Sequence, residues 1–147
     1  MKLTVAWIGK TKNAPIQSLT DEYLKRLRQF AEAEGLSLKD EAALLKLCSR
    51  SPGTGRRWLV LLDSRGKQML SEELADYIRQ HQLRNPLPLV FAIGGTDGFG
   101  DEVRNKADVV LSLGKMTLAH ELARVVLLEQ LYRAFTILKG HPYHLGH

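Results

Sequence analysis

The sequence predicts one α/β domain spanning residues 1–147, with a mostly parallel sheet flanked by helices. Three observations predict it. The short apolar runs Trp58–Leu62 and Leu89–Ile93 read as strands covered on both faces. Segments with helical spacing separate them from each other and from further strand-like stretches. With 147 residues, 44% of them apolar and 25% charged, the chain can bury a single core without disulfides.

Each element follows from its pattern. Lys2–Ile8 alternates polar and apolar residues as a strand does. Ile16–Glu34 has helical spacing at Leu19, Tyr23, Leu27 and Phe30, with Gly35 as its stop, and Leu36–Glu41 reads as the second strand. Residues 42–48 suit a short helix, and Ser51–Gly55 is the most loop-like segment of the chain. After the strand Trp58–Leu62, Asp63–Gly66 reads as a turn. Ser71 is a good N-cap for a helix reaching about Gln82, because Glu72 and Glu73 place anions in its first turn. Pro86 and Pro88 break the chain before the strand Leu89–Ile93. A short helix at Val103–Ala107, a strand at Val109–Leu113 and a helix from Leu118 to about Leu138 complete the order, with Gly140 as the final C-cap.

Composition excludes several classes. The N-terminal apolar run Leu3–Ile8 is too short for a signal-peptide core, and no stretch approaches the ~20 apolar residues of a membrane span. A single cysteine, Cys48, can form no internal bridge and reads as a small buried hydrophobe. The expected location is therefore the cytoplasm. Net charge is +5, with clusters at Lys10 and Lys12, at Lys25, Arg26 and Arg28, and at Arg56 and Arg57. That excess makes nucleic acid a candidate partner, since cations gain affinity by releasing counterions from phosphates.

The loops at the carboxyl ends of the strands are the default ligand site of such a sheet. Three stand out: the one after Leu62, the glycine-rich Gly94–Gly100, and Gly114-Lys115-Met116-Thr117. The familiar phosphate motifs are absent. The glycines after Ile93 are spaced G-G-x-x-G-x-G rather than G-x-G-x-x-G. Gly9-Lys10-Thr11 ends like a P-loop, but the upstream glycine would fall at Thr4, and Gly114-Lys115 is followed by Met116. No G-x-S-x-G and no metal-spaced Cys/His set is present, so no metal is expected.

The tail, His141-Pro142-Tyr143-His144-Leu145-Gly146-His147, concentrates proton-transfer side chains where chains usually fray. It is either an accidental His-rich end or part of a site.

Four segments in this order resemble the small SPOUT-class RNA methyltransferases: Leu89–Gly95, Leu111–His120, the Leu131-Tyr132-Arg133-Ala134 stretch, and His141–His144. The similarity runs from end to end and is closest to the type that methylates N3 of a pseudouridine in large-subunit ribosomal RNA. It implies a C-terminal trefoil knot and S-adenosylmethionine as cofactor. It implies cofactor-binding roles for Leu62, Gly94, Gly95, Leu113, Gly114, Lys115, Met116, Thr117 and Leu118. It also implies ribosomal RNA or the ribosome as partner.

Removing the imide proton needs a base, and Tyr143 and His144 are the first candidates. His120 is next, either as a proton-handling group or simply as an early residue of its helix. Arg124 and His141 are candidate RNA contacts, with Arg124 alternatively a support for the tail; Arg133 is placed to pair with Glu129 at i, i+4. Apolar residues cover nearly the whole last helix, from Leu122 to Leu138, which fits a homodimer through that helix with one subunit's tail completing its neighbour's site. Ala119 stands where the resembled family commonly has proline, and Lys115-Met116 gives the cofactor turn its own character. The competing readings are a non-enzymatic RNA- or ribosome-binding α/β module and an α/β enzyme acting on a small nucleotide.

Overall fold

A computed structural model describes residues 1–49 and 55–145. The expected loop at Ser51–Gly55 falls, but for Gly55, outside the described residues, as do Gly146 and His147. The elements are β1 (Lys2–Ile8), α1 (Ala14–Leu27), β2 (Glu32–Leu38), α2 (Glu41–Cys48), β3 (Trp58–Gln68), α3 (Ser71–Arg84), β4 (Leu89–Ile93), α4 (Asp101–Lys106), β5 (Val109–Ser112), α5 (His120–Lys139) and a closing 3-10 turn, Pro142–His144.

The five strands form one parallel sheet in the order β2-β1-β4-β3-β5. Alternation along the strands feeds two cores. Leu3, Val5 and Trp7 with Leu89 and Phe91 face α1, α3 and α5, whereas Ala6, Leu59, Leu61 and Val90 face α2 and α4. Every residue of β4 is buried, as its unbroken apolar run requires. Cys48 belongs to the second core, where burial pushes its thiol up to about 11, so it behaves as the expected hydrophobe. Among the described residues, no helix is long and apolar enough to cross a membrane.

The first helix and second strand depart from expectation. Helix α1 starts at Ala14, where the Asn13 side chain accepts the Ile16 N–H at 3.2 Å, and stops at Leu27 instead of Glu34. Leu19, expected on its buried face, is 43% exposed; Thr20, Leu24 and Leu27 form that face. Gly35 is no helix stop but lies inside β2. A Cβ there would stand 2.8 Å from the Trp7 ring and 2.9 Å from Leu24, so the missing side chain makes room for the indole. Gly35→Ala should therefore destabilise the fold by about 1–3 kcal/mol. The readout is the urea midpoint at unchanged slope; a wild-type midpoint would show that Trp7 and Leu24 yield without cost.

Other boundaries moved for local reasons. Asp63–Gly66 does turn, but as a bulge inside β3: Leu62 and Lys67 both pair with Leu111, and the residues between them leave the ladder. Ser71 is the first helical residue of α3 rather than its cap. The Glu73 carboxylate accepts the Leu70 N–H at 2.8 Å, while the Ser71 hydroxyl donates to Gln130 at 2.6 Å. Helix α4 begins at Asp101, two residues before the expected Val103. β5 ends at Ser112 and α5 begins at His120, leaving 113–119 free of regular structure. Gly140 ends α5 in the left-handed conformation at φ +67°, as expected of its C-cap.

Candidate functional site

The carboxyl ends of β3, β4 and β5 open into a cleft of about 530 Å³, within the range of small-molecule sites. Leu62, Gly94, Gly95, Leu113, Gly114, Met116, Thr117 and Leu118 all line it, and His120 closes one side from the first turn of α5. Lys115 alone among the expected cofactor residues is not in the wall; it is exposed.

The glycines have distinct jobs. A Cβ on Gly94 would stand 2.9 Å from the Gly98 backbone, so this glycine lets the 94–98 turn close on itself. A Cβ on Gly95 would meet nothing within 4 Å, so its backbone borders open cleft. Room for a ligand to come close to the backbone is therefore at Gly95, whereas Gly94 is required for the turn itself. Gly114 turns the chain out of β5 at φ +142°, and the Ser112 hydroxyl donates to its carbonyl at 2.8 Å.

The cleft also holds acidic groups that sequence reasoning passed over. Asp63 and Asp97 line it, and among the described residues no lysine or arginine does. Asp63 looked like an ordinary turn residue. Its carboxylate accepts the Arg65 N–H at 2.9 Å and pairs with Arg104 at 3.3 Å. Arg104 is itself fixed by the Phe99 carbonyl and by Asp101. Burial would raise the Asp63 pKa, but the hydrogen bonds from Arg65 and Arg104 outweigh it and hold the carboxyl below its usual range.

This sets a pH dependence. A carboxyl depressed in the folded state stabilises above its unfolded pKa of about 3.9, and the contribution disappears as pH falls through the folded value. Asp63→Asn should cost about 1–3 kcal/mol at neutral pH. It should also flatten the loss of urea stability that the native protein shows below about pH 4. A variant with native stability at pH 7 and an unchanged acid limb would show that the carboxylate stabilises nothing.

The remaining candidates do not line the cleft. Arg124 is 1% exposed, with its guanidinium 3.9 Å from the Trp7 ring centroid and donating to the Thr11 hydroxyl at 2.7 Å. It is thus buried on the inner side of α5, neither presented to RNA nor touching the tail. Arg133 pairs with Glu129 at 2.9 Å as the i, i+4 spacing suggests.

The tail folds back at the far end of α5, a 20-residue helix that spans about 30 Å. Tyr143 packs edge-on against Tyr132 with ring centroids 4.7 Å apart, lies under the Arg133 guanidinium and hydrogen-bonds Tyr23. Burial, the Tyr23 hydrogen bond and the Glu129 carboxylate push its phenol up to about 12, so it carries a proton at neutral pH. His141 is exposed, its Nδ1 accepting the Tyr143 N–H at 3.2 Å. His144 is half-buried, and its Nδ1 has no hydrogen-bond partner. Residues 141–145 therefore pack at the end of α5, and the length of that helix separates them from the cleft of their own chain.

Among the described residues, no cluster of three metal-ligating side chains occurs. Among the described residues the cleft wall offers a nucleotide's phosphates two carboxylates and no lysine or arginine. It does suit a ligand that carries positive charge and needs backbone hydrogen bonds, as a sulfonium cofactor with an amino-acid end does.

The comparisons agree with this architecture. The family model described as "Predicted SPOUT methyltransferase" matches residues 1–144. A protein of Koribacter versatilis named ribosomal RNA large subunit methyltransferase H is 59% identical over 147 residues, covering 100% of both chains. One of the same name from Geobacter sulfurreducens is 45% identical, covering 98% of this chain and 99% of its own. Among solved structures, the SpoU methyltransferase AviRb from Streptomyces viridochromogenes, in complex with AdoMet, matches with a TM-score of 0.56 at 16% identity, over 90% of this chain and 57% of that one. A probable methylase family protein from Haemophilus influenzae matches with a TM-score of 0.59 at 14% identity, over 96% of this chain and 69% of that one. Those structural likenesses are of fold, whereas the full-length sequence match goes further: the chain belongs to the SPOUT methyltransferase family.

Proposed function

We propose that this protein methylates N3 of a pseudouridine in large-subunit ribosomal RNA, using S-adenosylmethionine held in the β3–β4–β5 cleft, and that it works in the cytoplasm as a homodimer through α5. The observation that carries the cofactor assignment is the chemistry of the wall: backbone-bordered glycine turns, apolar Leu62, Leu113 and Leu118, two carboxylates and no cation. Large-subunit RNA as substrate is supported by the names of the full-length relatives. The pseudouridine N3 position comes from the resemblance. So does the trefoil knot, whose loops this reading assigns to the chain at Leu62, at Gly94 and Gly95, and at Leu113–Leu118.

Bound S-adenosylmethionine supplies an electrophilic methyl group on a sulfonium. The chain's own residues do the rest. The Gly95 backbone and the 113–118 turn grip the cofactor, Asp97 complements its positive charge, Asp63 holds the turn beside it through Arg65 and Arg104, and His120 borders the place where a base would enter. The tail of one subunit serves the cleft of the other, with His144 next to the reacting base and Tyr143 fixing the tail through its ring contacts. Exposed Leu122, at 46%, gives the first turn of α5 an apolar side chain for the partner subunit to cover.

Two measurements test this reading. Calorimetry should show one S-adenosylmethionine bound per competent site, whereas a non-enzymatic RNA- or ribosome-binding module gives no heat. Mass spectrometry of ribosomal RNA from cells with and without the protein should show loss of one methyl group from a large-subunit pseudouridine; an unchanged RNA would refute the assignment.

A further inference from the structure

The segment Gly9–Asn13 joins β1 to α1 without regular structure, yet it is tied down on two sides. Gly9 turns the chain at φ +94°. Its N–H donates to the Leu38 carbonyl at 2.8 Å, and its carbonyl accepts the Ser37 hydroxyl at 2.6 Å. From α5, the Glu121 carboxylate accepts the Lys12 N–H at 3.1 Å and the Asn13 N–H at 3.4 Å, while Arg124 donates to Thr11 at 2.7 Å. These bonds leave the Lys10 and Lys12 side chains free. Both residues are exposed, and among the described residues neither enters an ion pair.

Arg124 has an unusual setting. It is buried with no carboxylate within ion-pair distance among the described residues, and its Nε lacks a partner. The Trp7 ring and the Thr11 and Thr20 hydroxyls contact it, and Glu121, beyond ion-pair distance, is the carboxylate that attracts its charge, while burial pushes its pKa down. A buried cation without an anion is costly, so its retention calls for a gain elsewhere. Here it fixes the middle of the loop and adds its charge beneath it. Lys10, Lys12 and Arg124 gather around Glu121, beside the turn of α5 whose His120 and Ala123 line the cleft. A basic edge thus borders a cation-free pocket.

We propose that Gly9–Asn13 is the edge of the site that grips the RNA backbone, with Lys10 and Lys12 contacting phosphates and with Arg124 and Glu121 as positioning residues that present them beside the cleft. The Gly9-Lys10-Thr11 segment, unable to cradle a nucleotide in the P-loop manner, holds phosphodiesters through its side chains instead. This rests on the methyltransferase reading of the cleft and adds where the substrate's backbone lies against it.

The test uses the full-length protein and purified large ribosomal subunits from cells lacking it. Replacing Lys10→Ala and Lys12→Ala together should weaken subunit binding at least about tenfold in moderate salt and make the slope of log affinity against log salt shallower by about 1.4–1.8, for two lost phosphate contacts. KM for subunits should rise with kcat changed less than about threefold and S-adenosylmethionine affinity within about twofold, since these lysines act through counterion release. Lys10→Arg with Lys12→Arg should restore binding. Thr11→Val, which removes the Arg124 anchor and no charge, should raise KM without altering the salt slope. Native affinity and native slope in the double alanine variant would overturn the loop's role while leaving the cleft reading intact. A native protein that binds neither cofactor nor subunits would overturn both.

Discussion

Gly94→Val is expected to abolish S-adenosylmethionine binding, lowering affinity by at least about 100-fold through loss of the turn that shapes the cleft wall. The position tolerates no Cβ, because that atom would stand 2.9 Å from the Gly98 carbonyl carbon and 3.1 Å from its Cα. Valine adds two methyl groups to the same collision, and its β-branched side chain cannot swing clear. The strand before it should survive, since β4 is paired on both sides by β1 and β3 and every one of its residues is buried. Circular dichroism and the thermal midpoint should therefore shift modestly while the calorimetric heat disappears. Gly95 makes the internal control. With open space around its Cβ, Gly95→Ala should keep both fold and much of the affinity, and Gly95→Val should lose affinity by filling the cleft while leaving the turn closed. Native binding by Gly94→Val would remove this loop from the cofactor site.

The contrast between these two glycines shows where a sequence stops being legible. Both stand in one glycine-rich run after a buried strand, a pattern that suits a tight turn as well as a ligand loop. Which of them meets a ligand depends on where Gly98 returns, a contact made by chain folding. Gly35 repeats the lesson. After a helical pattern a glycine reads as a stop, yet this one lies in β2 because the Trp7 ring needs the volume of its missing side chain. The Trp58–Leu62 and Leu89–Ile93 strands were readable because burial on both faces leaves its record in each residue. The Gly114–Thr117 turn stood out as a loop at a strand's carboxyl end, its cofactor role came only from the resemblance, and its glycine and apolar residues gather in one cleft. Asp63 was hidden because an Asx turn within a strand looks like an Asx turn at its end. Arg124 was misplaced for a different reason: a cation on an apolar helix normally reaches for water, and only the tertiary approach of the β1–α1 segment supplies the ring and hydroxyls that keep it inside.

Tail residues pose a question of connectivity rather than of pattern. His144 and Tyr143 sit at one end of α5 and His120 at the other, about 30 Å apart along the helix. A proton-transfer group must come within hydrogen-bond reach of its target. If the tail acts, it acts on a neighbour's cleft. Changing His144→Ala together with Tyr143→Phe should then lower methylation by about 10²–10⁴-fold, with S-adenosylmethionine affinity within about twofold of native because no tail residue lines the pocket. Phenylalanine keeps the ring against Tyr132 and removes only the hydroxyl that bonds Tyr23, so the fold of the tail should persist. Mixed dimers decide the geometry. A dimer that pairs this tail variant with a Gly94→Val subunit contains one intact cleft and one intact tail, on different chains. Action across the interface restores one site of the two, hence about half the native turnover per dimer. Action within a chain leaves the mixed dimer inactive, since neither subunit then carries both parts. Loss of cofactor affinity in the tail variant would instead place the tail in the cofactor pocket and contradict its assignment to the RNA.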